Sequence, residues 1–256
     1  MTDSHVTVNR DFWNGMAAEW VALGERQWAL DTPTWGLWNL PDDHVTLLPA
    51  DMTGLDAIEL GCGNGYVAGW MARRGARVTA IDVSDRQLET ARRLAAEHGA
   101  DITFLEGNAE ATGLAGASFD FAVSEYGAAI WCDPRVWLPE AHRLLRPGGR
   151  LAFLGNHPLM FVATPLSGDV TDFTFHRPYR DTNRFDWTDA EVEPGGIEFN
   201  LTVSAWMALF REVGFEVLDY RELFAPETAT GVRGAVTADW AKRYPSEQVW
   251  WLKKPA

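Results

Sequence analysis

Between Asp56 and Asn156 the chain alternates short apolar runs with amphipathic stretches. The runs Ala57–Leu60, Arg77–Ile81, Ile102–Leu105, Phe119–Ser124 and Arg150–Leu154 predict strands. Between them, Tyr66–Arg74, Asp85–His98 and Val136–Leu145 carry helical periodicity. Ser84 suits the N-cap of the second helix and Gly99 its stop. Pro147-Gly148-Gly149 is expected to turn the chain into the fifth strand. Repeated strand–helix–strand units imply right-handed crossovers and a parallel sheet covered on both faces.

Outside this block the pattern changes. From Asn9 to Leu48, Phe12, Met16, Trp20 and Leu23 recur at helical spacing, while Pro33, Gly36 and Pro41 interrupt. This predicts two or three short helices rather than one long one. From His157 to Asn200 the alternation breaks down around several prolines and glycines, and an insertion of that length in a regular domain is expected to be functional. Regularity returns with a helix at Val203–Val213, a strand at Phe215–Leu223 and a final strand at Gln248–Leu252. The expected organisation is one α/β domain over residues 1–256, with a helical lid at 1–50 and a substrate-binding insertion at 157–200.

Composition narrows the chemistry. The 256 residues are 46% hydrophobic and carry a net charge of −14, which repels phosphate backbones and argues against nucleic acid as a partner. Cys62 and Cys132 are far apart and outside any CxxC pair, so neither zinc nor another metal is expected. No signal-peptide core or membrane-spanning run is visible, which predicts a cytoplasmic protein without a membrane partner, monomer or homodimer. Thirteen tryptophans are many for this length. Trp13, Trp20, Trp28, Trp35 and Trp38 fit either helix packing or an aromatic lid over a pocket.

The densest signal is AIELGCGNGY, Ala57 to Tyr66, which follows a strand and opens a helix. Glycines at 61, 63 and 65 permit a sharp turn and close approach to a ligand. The helix start beyond them favours an anionic group. The second strand ends at Asp82, where a carboxylate can accept both hydroxyls of a ribose. The spacing is neither that of a dinucleotide fingerprint nor that of a Walker loop.

ELGCGNG resembles the first motif of class I S-adenosylmethionine (SAM)-dependent methyltransferases, and Asp82 their ribose-binding acid. EGNAE at 106–110, FDFAVSEYGAAIW at 119–131 and LLRPGGRLAFLGN at 144–156 are similar to later motifs in the same order. Trp13-Asn14-x-x-Ala17-x-x-Trp20 resembles the aromatic helix that covers SAM in many members. The resemblance implies a Rossmann-like seven-stranded, mostly parallel sheet with the last strand antiparallel beside the sixth. It implies a cofactor set of Glu59, Gly61, Cys62, Gly63, Gly65, Asp82, Val83, Asn108, Ala109 and Ser124. Glu59 and the glycine loop would face the methionine part, Asp82 the ribose, and Asn108 with Ala109 the adenine. Asn108 departs from the usual Asp, keeping an acceptor oxygen without its charge.

The implied activity is methyl transfer to an oxygen or nitrogen of a small molecule, such as a specialised metabolite, with S-adenosylhomocysteine as product. Candidates for the chemistry follow strands four and five: Ser124, Glu125 and Tyr126, then Asn156 with His157, which is first choice for a general base because imidazole titrates near neutrality. Tyr126, Trp131 and the Trp28–Trp38 segment, with Phe173, Phe175, Tyr179, Phe185 and Trp187 of the insertion, are candidate pocket walls. His176, Arg177 and Arg180 are candidate polar contacts. The competing expectation is a SAM-binding enzyme whose cofactor acts electrostatically in a cyclisation, isomerisation or decarboxylation. A scaffold with a vestigial pocket and a macromolecular methyltransferase rank below it.

Overall fold

The apolar runs pair as expected in a computed structural model describing residues 4–192 and 194–256. Strands β1 (Asp56–Leu60), β2 (Arg77–Asp82), β3 (Ile102–Glu106), β4 (Phe119–Glu125), β5 (Leu145–Asn156), β6 (Glu216–Leu223) and β7 (Glu247–Lys253) form one sheet in the order β6-β7-β5-β4-β1-β2-β3. Pairing is parallel from β3 through β5, and β7 runs antiparallel between β5 and β6. Strand β5 begins at Leu145 rather than Arg150, because Leu145 already pairs with Phe119.

Side-chain alternation along the strands builds two cores. On β5, Ala152 and Leu154 face one cluster with Trp35, Trp70 and Trp240, while Leu151 and Phe153 face another with Trp137, Trp206 and Phe210. Helices α2 (Tyr66–Arg73) and α3 (Asp85–Glu97) follow β1 and β2. Ser84 caps α3 by accepting from the Gln87 N–H at 3.1 Å. Helices α4 (Gly127–Trp131) and α5 (Pro134–Leu144) lie between β4 and β5, and α7 (Val203–Val213) precedes β6.

The N-terminal expectation of several short helices is corrected. Residues His5–Ala29 form a single 25-residue helix, α1. Pro33, Gly36 and Pro41 all lie beyond its end, in a short hairpin (Thr34–Trp35 with Leu40–Pro41) before a one-turn helix at Asp42–Val45. The insertion opens with α6 (Pro158–Ala163) and contains the hairpin Arg184–Asp186 with Ile197–Phe199. No helix among the described residues is long and apolar enough to cross a membrane.

One buried side chain ties lid to insertion. Asn9 of α1 donates to the carbonyls of Trp131 at 3.0 Å and Ile197 at 2.9 Å, and accepts from the Ile197 N–H at 2.7 Å. Asn9→Ala leaves those groups without partners. A loss of about 2–4 kcal/mol in unfolding free energy is expected, measured by urea denaturation.

Candidate active site

The strand order reverses between β1 and β4, where open α/β sheets form a crevice outside the strands' carboxyl ends. There the two turns nearly touch. Gly61 has φ +76°, and a Cβ on it would stand 2.6 Å from the Ala128 nitrogen. A Cβ on Gly127 would lie 2.0 Å from the Gly61 carbonyl oxygen. No side chain fits at either position.

Asp82, at the tip of β2, accepts from the Gly63 N–H at 2.7 Å and the Ser84 N–H at 2.9 Å. Burial raises its pKa, opposed by the backbone donors of Ser84, Gly63 and Val83. Glu59 is fully buried and accepts from the Ala68 N–H in the first turn of α2 at 2.7 Å. Burial pushes its carboxyl well above the usual range, and the nearby Glu125 and Asp82 add to the rise against the Ala68 donor. The Asn108 side-chain oxygen accepts from the Glu110 N–H at 2.9 Å.

These groups open onto a cavity of about 1060 Å³. Glu59, Gly61, Cys62, Gly63, Asp82, Val83, Asn108 and Ala109 line it. Gly65 and Ser124 do not. Gly65 backs onto Phe104 and Ala91, while the Ser124 hydroxyl donates to the Leu60 carbonyl at 2.8 Å and accepts from the Ala129 N–H at 3.1 Å. Helix α1 supplies the cover: Phe12, Trp13, Met16, Trp20 and Leu23 face the cavity. The lid is fastened by Asn14 to Ser84 and Asp85, and by His5 to Glu110 at 2.7 Å.

Comparison with known proteins bears on this architecture. Residues 58–153 match the family model described as a methyltransferase domain. A ubiquinone biosynthesis O-methyltransferase of Cereibacter sphaeroides is 32% identical over 184 residues, covering 67% of this chain and 74% of that relative. The chain belongs to the class I SAM-dependent methyltransferases. A malonyl-[acyl-carrier protein] O-methyltransferase of Pectobacterium atrosepticum is 40% identical over 111 residues, 43% of this chain and 41% of that relative. A ubiquinone biosynthesis O-methyltransferase of Caulobacter vibrioides is 38% identical over 116 residues, 45% of this chain and 42% of that relative. The chain thus spans about two fifths of the length of these two relatives. In fold, it is similar to a SAM-dependent methyltransferase of Mesorhizobium loti, with TM-score 0.64, 22% identity, and 85% of this chain and all of that one covered.

The methyltransferase cavity fits its family cofactor, SAM. The glycine turn leaves space above Gly63, where a Cβ would meet nothing within 4 Å, and Asp82 presents a half-buried carboxylate beside it. Buried carboxyls and aromatic faces suit a sulfonium cation.

Away from Asp82, the cavity wall is built by tertiary contacts. Glu125 accepts from the Tyr66 hydroxyl and from the Gly36 N–H at 3.1 Å, and burial raises its pKa. The Tyr126 hydroxyl donates to Glu247, which also accepts from the Leu37 N–H at 2.9 Å. Burial lifts Glu247 to about 7. Tyr126 sits at φ +59°, ψ −41°, a strained backbone held by these contacts and by its N–H bond to the Leu154 carbonyl. Glu125 and Tyr126 both line the cavity.

His157 does not join them. Its Nδ1 accepts from the Leu159 N–H at 3.1 Å, capping α6, and its Nε2 lies 3.3 Å from Glu222 without hydrogen-bond geometry. Burial depresses its pKa to about 4, and the ring stands outside the cavity lining. The position after β5 was well chosen, but the ring turns to the helix start instead of the cavity. Phe173, Phe175 and Tyr179 are exposed and stand outside the lining. Trp28 and Trp35 are core, Phe185 stacks on Phe161 at 4.2 Å, and of the five insertion aromatics expected to line the pocket Trp187 reaches it, joined by Phe161. Arg177 lies over Phe185 and Trp187 and donates to the Thr164 carbonyl, and His176 pairs with Asp172. Asn156, expected among the candidates after β5, lines the cavity, whereas sequence reasoning missed Tyr66, Glu198 and Glu247. The one visible signal was an acid between apolar neighbours in Ile197-Glu198-Phe199.

The His157 shift has a definite sign. An imidazole ordinarily near 6.5 and held at about 4 is protonated first in the unfolded chain as pH falls. Its contribution to stability is complete above pH 6.5 and declines towards pH 4, by about 3 kcal/mol. His157→Asn, which keeps a capping oxygen, is expected to flatten that slope in unfolding curves recorded between pH 7 and 4.

Proposed function

We propose that this methyltransferase moves the methyl group of SAM to an oxygen of a small-molecule acceptor and releases S-adenosylhomocysteine. The observation that carries the reading is the single cavity. It joins the Gly63–Asp82 cradle to a second wall of Glu125, Tyr126, Asn156 and Trp187 beneath α1. The relatives that match this chain are named as O-methyltransferases although their named acceptors differ, which supports oxygen.

In this reading Asp82 holds the ribose hydroxyls and Glu59 with the backbone of Gly61, Cys62 and Gly63 the methionine part. Val83, Asn108 and Ala109 flank the adenine. Gly65 and Ser124 serve from behind the wall, by shaping the turn and tying β4 to β1. Bound SAM supplies an electrophilic methyl carbon on a positively charged sulfur. The chain's own residues orient the acceptor opposite that carbon and keep water out, the lid helix doing the latter. Buried carboxyls at Glu59 and Glu125 and the face of Tyr126 favour the cationic form over its neutral product.

The test is calorimetric. SAM should bind the full chain, and Asp82→Ala should weaken that affinity by about 10–150-fold, the loss of hydrogen bonds to a charged group. Undiminished affinity in a folded Asp82→Ala variant would overturn the assignment. Methyl-labelled SAM then separates transfer from the competing electrostatic role, in which acceptor turns over without release of S-adenosylhomocysteine.

A further inference from the structure

The insertion hairpin brings one more carboxyl to the cavity. Glu198 lies on the strand Ile197–Phe199 between two buried apolar residues, so the alternation of the strand turns its side chain away from theirs. It lines the cavity with Asn156, Met160, Phe161 and Trp187. The strand is held at its root by Asn9, which takes both backbone groups of Ile197. Glu198 therefore has a fixed origin on a clamped backbone, unlike a side chain on a free loop.

We infer that Glu198 is the catalytic base of the reaction, taking the proton from a hydroxyl group carried on an aromatic ring. The inference rests on the methyl-transfer reading above. Glu125 and Glu247 are engaged by the tyrosine hydroxyls and by backbone donors, and His157 caps a helix, so these three are already committed. Burial lifts Glu198 to about 7, and the Trp187 and Asn156 side chains beside it offset only part of that rise. Charged or titratable groups on neighbouring elements are His5, packed edge-on against Phe199, Arg177, stacked on Phe185 and Trp187, and Glu125, Tyr126 and Arg233 on the cavity wall. A base at that pKa lies about three units below a phenol, a gap that proton transfer in the transition state can cross. An aliphatic hydroxyl, close to water, is about nine units away. The lining agrees in chemistry: Phe161, Trp131 and Trp187 are aromatic side chains on that cavity.

The step balances within the site. The acceptor O–H bond breaks, its proton goes to the Glu198 carboxylate, and the oxygen's electron pair forms the bond to the methyl carbon. The displaced thioether of S-adenosylhomocysteine keeps the former carbon–sulfur pair, and Glu198 returns its proton to solvent.

The experiment uses the full chain with methyl-labelled SAM and a probe panel of phenol, 2-naphthol and a tricyclic phenol, between pH 6 and 9.5. Wild type should methylate at least one probe, with kcat rising through pH 7 to a plateau. Glu198→Gln should lose about 100-fold or more in kcat at pH 7. It should keep its SAM affinity by calorimetry and recover as pH approaches the ionisation of the phenol itself. Glu198→Asp should retain the pH profile at reduced rate. A Glu198→Gln variant with unchanged kcat or an unchanged pH profile would overturn the base assignment. A wild type that binds SAM but methylates no phenol would overturn the acceptor class and leave the methyltransferase reading standing. Failure of SAM to bind would instead strike at that reading.

Discussion

The site depends on two peptide backbones passing within contact distance where the strand order reverses. Gly61 and Gly127 belong to different βα turns, and the absence of a Cβ on each lets the turns cross. That crossing frees Gly63 to meet the Asp82 carboxylate and lets Tyr126 turn through a strained conformation into the cavity. Close packing leaves no intermediate arrangement, since an added methyl group would have to displace main chain rather than a flexible side chain.

Around that crossing the protein collects carboxyl groups in a desolvated place. Glu59, Asp82, Glu125 and Glu198 all line one cavity, and Glu247 stands behind it. Burial raises the pKa of each. Such a set is unfavourable in an empty cavity, because like charges meet at low dielectric. A cationic ligand relieves it. Part of the chain's acidity thus lies where it bears on binding.

How far this was legible in the sequence follows from which part of the chain carries each function. The strands and helices from Asp56 to Asn156 were readable because burial on both faces forces apolar runs between amphipathic helices. The glycine turn and the acid beside it were readable because backbone geometry demands glycine at fixed spacing, followed by an acid one strand later. Helix α1 was divided wrongly because Phe12, Trp13, Met16, Trp20 and Leu23 cover a cavity, and the breakers that suggested interruption fall after its last turn. The second wall of the cavity was legible in part. Glu125, Tyr126, Asn156 and Trp187 stood among the candidates, whereas Gly36 and Glu198 join them only through tertiary structure, and His157 shows that a place after β5 does not determine where a ring points.

The placement of Glu247 has a bearing on the order of assembly. It begins the last strand, yet its carboxylate receives the Tyr126 hydroxyl and the Leu37 amide from segments made far earlier. A ribosome that has released only the first two hundred residues has emitted every member of the glycine turn and none of this support. Until β7 slides between β5 and β6, Tyr126 lacks the partner that holds its unfavourable backbone angles. The cavity wall at Tyr126 is therefore finished by a strand far downstream of the glycine turn.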